Sequence, residues 1–134
     1  MLFDIHPSSN VPIYEQIVAQ VTFAIAADDL TVGSMIPRVR ELADKLVVNP
    51  NTVARAYQQL EQLGILEARR GRGMEITDKA PEICRTRRQE IVRNRIRQAL
   101  HEAVGSALSP EEVRLLVEEE LAHVNGHHRI RGKH

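Results

Sequence analysis

The apolar positions of the chain fall into short runs whose spacing switches from helical to alternating and back. Ile13, Ile17, Val21, Ala24 and Ile25 keep the i, i+4, i+8 rhythm of one buried helix face. Pro12 suits a first helical turn, where a missing N–H costs nothing. A first helix is therefore predicted from Pro12 to near Asp28, after an extended lead-in over residues 1–11. Thr31-Val32-Gly33-Ser34 reads as a turn. Leu42, Ala43 and Leu46 give a short second helix over Arg38 to Leu46, opened by Pro37.

A third helix comes almost at once. Asn49 is a good N-cap and Pro50 a good first helical residue. Val53, Ala56, Tyr57 and Leu60 share one face, and Gly64 is placed to stop the helix in a left-handed cap. Two short helices about three residues apart make a helix-turn-helix. Ile65-Leu66-Glu67-Ala68 and Met74-Glu75-Ile76-Thr77 then flank Arg69-Arg70-Gly71-Arg72-Gly73. Two short extended runs around a Gly- and Arg-rich turn read as a β-hairpin, and a hairpin directly after the third helix is a wing.

The remainder is helical and charged. Val92, Ile96, Ala99, Leu100, Ala103 and Val104 share a face, among Arg85, Arg87, Arg88, Arg93, Arg95 and Arg97. After a break at Gly105 to Leu108, Ser109-Pro110-Glu111-Glu112 is a capping box with proline at the first helical position. Val113, Leu116, Val117, Leu121 and Val124 line the last helix, which Asn125-Gly126 is expected to end. The fold class is thus mainly α with a small β-hairpin wing. Residues 1–79 are read as a winged helix-turn-helix domain, 80–126 as a two-helix C-terminal dimerisation element and 127–134 as a loose tail.

If the core side of the third helix is fixed, Asn51, Arg55, Gln58 and Gln62 face outward. Arginine suits the two major-groove acceptors of guanine, and Asn or Gln suits adenine. Asn49, Asn51 and Thr52 sit at the helix N-terminus, whose free N–H groups and dipole attract phosphate. The same pattern also suits an ordinary solvated helix face. Two further groups favour DNA. Arg38 and Arg40 open the second helix, where a helix-turn-helix meets one backbone strand. Arg69, Arg70 and Arg72 surround glycines in the wing, and arginine is favoured in a narrow minor groove. Each group alone reads equally as surface charge.

Composition changes this picture in only a few places. The formal net charge of the 134 residues is zero, from 18 basic and 18 acidic side chains, which counts mildly against a nucleic-acid binder. The distribution is uneven, however. Ile36 to Gly73 holds seven basic residues and four acidic ones, a local net of +3, whereas residues 1–35 carry Asp4, Glu15, Asp28 and Asp29 and no Lys or Arg. Charge acts over roughly 8–10 Å at physiological salt, so a local basic face suffices. Apolar residues make up 43% of the chain, enough for a core. The lone Cys84 excludes an internal disulfide and a multi-cysteine zinc site, and suits a reducing cytoplasm. Neither a leader peptide nor a run of about 18 apolar residues is present, so no secretion signal, membrane span or membrane partner is expected.

An enzyme is disfavoured, since no nucleophile lies near a base at recognisable spacing and no metal set is complete. His123 and His127 are spaced i, i+4, with His101 and His128 nearby. The expected helix break between them makes a polar tail the preferred reading, and no cofactor or metal is expected.

Taken in order, Pro12-Ile13-Tyr14-Glu15-Gln16-Ile17, Ile36-Pro37, Val39-Arg40-Glu41-Leu42-Ala43, Asn49-Pro50-Asn51-Thr52-Val53, Arg55-Ala56-Tyr57, Leu60-Glu61, Gly64-Ile65-Leu66 and Arg70-Gly71-Arg72-Gly73 resemble the GntR family of bacterial transcription regulators. The match covers about residues 11–77. The short helical C-terminal part is similar to that of the YtrA subfamily. The resemblance implies a homodimer on palindromic operator DNA, most often a repressor. It places Arg40, Asn49, Pro50, Asn51, Thr52, Arg55 and Gly71 at or beside DNA-contact positions. Three departures stand out: Arg38 where the family has Ser, Val47 where it often has Gly, and Asp28-Asp29 where a Gly is common.

The apolar faces of residues 82–124 need cover. Self-association through Val92, Ile96, Ala99, Leu100, Val104, Val113, Leu116, Val117 and Leu121 is the expected answer, with folding back onto the same monomer as the alternative. About 55 residues come after the wing, room for no more than a small effector pocket at a dimer interface. No pocket signature is legible; the resemblance is compatible with a small-molecule effector and with control of a transporter operon. The competing reading is a winged helix reused as a protein-interaction module.

Overall fold

The structure, a computed structural model, describes residues 3–130, and the side chains of residues 3–126. In chain order the elements are α1 (Ile13–Ala26), α2 (Val39–Leu46), α3 (Pro50–Gln62), β1 (Leu66–Arg69), β2 (Gly73–Ile76), α4 (Ala80–Gly105) and α5 (Pro110–Ile130). The chain divides into two compact units, residues 1–91 and 92–134.

In the first unit α1, α2 and β1 all pack on α3. Ile17, Val21 and Ile25 of α1 meet Leu42 and Ala43 of α2, and Val53, Ala56, Tyr57 and Leu60 of α3, in one buried cluster. Ile65, Leu66 and Ile76 close it from the wing side, and Ala80 and Cys84 from the first turns of α4. Two polar side chains are buried with these, and both are satisfied. Thr22 Oγ1 donates to the Val18 carbonyl at 2.7 Å. The Gln16 amide accepts from His6 N at 2.8 Å and donates to the His6 and Val11 carbonyls at 3.0 and 2.8 Å. This single side chain therefore pins the extended lead-in to α1, since a buried amide left unpaired is costly.

The helix ends are set by local chemistry. Pro12 stands at the N-cap of α1 rather than inside it, with an extended ψ of 148°. Asn49 Oδ1 accepts from Asn51 N at 2.8 Å, the expected cap, and Pro50 takes the first helical position. Gly64, at φ +84°, terminates α3, and Ile65 N then returns to the Leu60 carbonyl at 3.0 Å. In α5 the capping box is closed both ways. Glu112 N donates to Ser109 Oγ at 3.1 Å, and Ser109 N to Glu112 Oε1 at 2.9 Å.

β1 and β2 are antiparallel, with Leu66 opposite Ile76 and Arg69 opposite Gly73. The outer edge of β2 is not free. Met35 bridges Glu75, Ile36 N donates to Met74 O at 3.0 Å, and Ile76 N donates to Ser34 O at 2.9 Å. The segment before α2 thus fastens the wing to the helix-turn-helix.

One expected boundary is corrected. Helix α5 does not stop at Asn125-Gly126 but continues to Ile130. Gly126 lacks the positive φ of a helix cap. A glycine inside a helix costs about 1 kcal/mol relative to alanine, too little to break a helix without a proline after it. Of the expected tail, 127–130 is therefore helical, and 131–134 lies outside the described residues. No described helix is long and apolar enough to cross a membrane.

Candidate nucleic-acid interface

Helix α3 presents its two faces as its periodicity predicts. Val53, Ala56, Tyr57 and Leu60 are buried, and Asn51, Arg55, Gln58 and Gln62 are exposed. Its N-terminal turn carries Asn49 and Asn51 exposed, with Pro50 and Thr52 half-buried. Arg55, Gln58 and Gln62 border one shallow surface depression with Gln59 and Leu63. The Arg55 guanidinium does not wave in solvent. It lies 3.8 Å from the centroid of the Tyr14 ring of α1, a cation–π contact. Tyr14 Oη in turn donates to Glu15 Oε2 at 3.3 Å.

The angle between α2 and α3 is held from inside. Tyr57 Oη donates to the Pro37 carbonyl at 2.6 Å, just before α2 begins. Burial, and then the charge of Glu41, push the Tyr57 phenol well above its usual range, so it stays a neutral donor. Between the helices, Val47 takes φ +56° and ψ +52° and is 88% exposed. The chain thus adopts at Val47 the left-handed turn that glycine would make freely, with a β-branched residue that resists it. Asp28, at φ +65°, does the same after α1, where aspartate is better tolerated.

The basic groups flank α3 in different ways. Arg38, exposed at the N-cap of α2, makes no capping hydrogen bond. Its Nη2 instead donates to the Gly71 carbonyl at the wing tip at 3.1 Å. Arg40 is exposed on α2. In the wing, Arg69 is a strut: Nε meets Glu75 Oε1 at 2.7 Å and Nη2 meets Glu67 Oε1 at 3.6 Å. The hydrogen bond it donates to Glu75, then the Glu67 charge, hold its guanidinium protonated beyond the ordinary range. Arg70 and Arg72 are exposed at the tip with no ion pair among the described residues. Gly71 there needs φ +73°, a conformation that a side chain would strain.

Two partners of α3, Tyr14 and Pro37, were not legible as such in the sequence. Their signal was present in the Pro12-Ile13-Tyr14 and Ile36-Pro37 motifs, but neither contact is local along the chain. Among the described residues no group of three or more His, Cys, Asp or Glu side chains is placed to hold an ion, and the side chains of His127 and His128 lie outside the described residues. The expected helix break between His123 and His127 is absent, since α5 runs through both positions.

A profile of the family described as "Bacterial regulatory proteins, gntR family" matches residues 13–76, which span α1 to the end of the wing. The HTH-type transcriptional repressor YtrA of Bacillus subtilis is 34% identical over 93% of this chain and 96% of its own length. The chain belongs to the GntR family. Its match to YtrA runs through nearly the whole of both proteins, so within the GntR family it stands with the YtrA-like members. Among solved structures, a GntR family transcriptional regulator from Listeria monocytogenes is 30% identical, with a TM-score of 0.63 over 84% of this chain and 97% of that one. YtrA from Sulfolobus acidocaldarius, a GntR-family transcription factor, is 29% identical, with a TM-score of 0.54 over 91% of this chain and 98% of that one. The protein is a DNA-binding transcription regulator with a winged helix-turn-helix. Its GntR relatives and its fold are those of regulators, not enzymes.

Proposed function

We propose that this GntR regulator is a homodimeric repressor that reads a palindromic operator with α3, braced on the DNA backbone by Arg40 and the start of α2 and by the wing. The observation that carries the reading is the exposed row Asn51, Arg55, Gln58 and Gln62 on a helix whose other face is wholly buried. In this reading Asn51, Arg55 and Gln58 meet base edges, Asn49, Pro50 and Thr52 bring the helix N-terminus to a phosphate, and Arg70, Gly71 and Arg72 enter the neighbouring minor groove. Residues 1–79 act as the DNA-binding part. The helices after them act as the dimerisation part, in the cytoplasm where the DNA lies.

Support for the dimer comes from the second unit. Val92, Ile96, Leu100 and Val104 on α4, and Leu116, Val117 and Leu121 on α5, are exposed large apolar side chains that the chain itself leaves in contact with water. Val113 is the exception in the expected set, because it is buried within the chain. A two-fold dimer sets the two copies of α3 about one helical turn apart, roughly 10 bp, or a multiple of it.

The test is repeated selection from a pool of random-sequence duplex DNA, then titration of the winning sequence. The expected result is an enriched inverted repeat bound with a log–log salt slope of several units. A pool that never enriches would favour the protein-interaction reading.

A further inference from the structure

Arg38 stands where the GntR pattern has serine. A serine at the N-cap of α2 would cap the helix, whereas Arg38 is exposed and makes no capping hydrogen bond. Its side chain runs along the returning strand of the wing instead. A Cβ built on Gly73 would stand 3.9 Å from Arg38 Cγ, and Nη2 reaches on to the Gly71 carbonyl at 3.1 Å. The stem thus passes one glycine and the head binds another.

The place of that hydrogen bond matters. Strand pairing ends at Arg69 and Gly73, so Arg70, Gly71 and Arg72 lie beyond the ladder. Arg72 N closes the turn on the Arg69 carbonyl at 2.9 Å, and Gly71 supplies its φ of +73°. The Met35 bridge and the hydrogen bonds of Ile36 and Ile76 reach no nearer the tip than Met74. Among the described residues, the Arg38 guanidinium is the one group outside the hairpin that is hydrogen-bonded to its tip. Arg69 is held inside the hairpin by Glu67 and Glu75. The wing cations presented to a duplex are therefore Arg70 and Arg72, one on each side of the tethered Gly71.

A minor groove is about 6 Å wide, and narrower over A·T runs, where its negative potential draws arginine in. What an arginine gains there depends on how closely it sits between the strands. A tip that swings spreads its arginines over many positions and blurs the preference. A tip tethered to α2 enters at one depth, fixed relative to α3. We infer that Arg38 is a positioning residue for minor-groove recognition. By holding the Gly71 carbonyl it sets where Arg70 and Arg72 enter, and so how strongly the protein prefers A·T over G·C pairs beside each half-site. This rests on the wing reading proposed above and deepens it, because it assigns part of the preference to a residue outside the wing.

The test uses the full chain and two duplexes that share the selected operator and differ only in the pairs flanking each half-site, A·T in one and G·C in the other. Arg38→Ser removes the tether and restores a capping residue, so α2 keeps a sound start; thermal melts check that it folds. The wild type is expected to bind the A·T-flanked duplex more tightly, and the double change Arg70→Ala with Arg72→Ala to erase the difference. Arg38→Ser should cut the ratio of the two affinities about fivefold, the bias that one exposed hydrogen bond can hold. Made on top of the double change, it should leave the ratio where it was. Arg38→Lys keeps the charge but ends one atom short of the Gly71 carbonyl, so it should lower the ratio at an unchanged salt slope. Equal weakening on both duplexes by Arg38→Ser, or a full ratio in Arg38→Lys, would overturn the inference and leave Arg38 a backbone cation, with the wing reading intact. No flank preference in the wild type, or one that survives the loss of both wing arginines, would overturn the wing reading and the inference with it.

Discussion

Arg38 Nη2 donates to the carbonyl of Gly71 at 3.1 Å, joining the residue before α2 to the tip of the wing across 33 positions of sequence. Together with the Met35–Glu75 bridge, this contact ties the wing to the helix-turn-helix. Replacing Arg38 by alanine should cost less than about 1 kcal/mol of folding stability, as one exposed hydrogen bond is worth. The wing tip should nevertheless loosen. Backbone amide order parameters of Gly71 and Gly73 are expected to fall while those of α3 hold. Unchanged wing dynamics would mean that the contact positions nothing.

Val47 holds a left-handed conformation without burial to compensate for it. The left-handed region costs a residue with a Cβ about 1–2 kcal/mol, and glycine's extra unfolded-state freedom returns about 0.5–1 kcal/mol of that. Val47→Gly should therefore raise stability by roughly 0.5–1 kcal/mol, read as a higher urea midpoint at unchanged slope. A neutral or destabilising result would show that the turn is not strained.

Tyr14 and Arg55 should be coupled. A double-mutant cycle on folding stability, built from Tyr14→Leu and Arg55→Ala, is expected to return about 0.5–1 kcal/mol, the usual strength of an exposed cation–π pair. On a selected operator, Arg55→Ala should cost about 1–3 kcal/mol if the arginine reads a base. Equal losses on operator and random duplex would remove that role and leave Arg55 as a brace between α3 and α1.

Burial pushes the Cys84 thiol up to about 11 from 9.0, against a smaller opposing pull from Arg87. A proton held more tightly in the folded than in the unfolded state stabilises fully below pH 9, and that stability is lost as the pH rises toward about 11. Urea midpoints should decline over this window. Cys84→Ala, whatever its effect at neutral pH, should decline less steeply. The same burial predicts slow modification of Cys84 by thiol reagents at pH 8 until the chain is unfolded.

What the sequence made legible was whatever local chemistry decides. Asn49 and Pro50 start a helix by capping and fixed φ, Gly64 stops one, and Ser109 with Glu112 closes a capping box within four residues. Long-range partners were not legible in the same way. Nothing near Arg38 in sequence announces Gly71, and nothing near Met35 announces Glu75, because both pairings depend on the wing folding back. Arg69 looked equivalent to Arg70 and Arg72 until Glu75 was brought across the hairpin. Asn125-Gly126 misled because glycine stops a helix strongly only where the backbone takes a positive φ, and at Gly126 it does not.

Above all, one dimer should set two copies of α3 on one duplex. Sedimentation equilibrium of the wild-type chain with a labelled, selected duplex tests this most directly. Two chains per duplex, on an inverted repeat whose half-site centres lie about 10 bp or a multiple apart, is the predicted result. One chain per duplex, or an enriched site without a repeat, would contradict it.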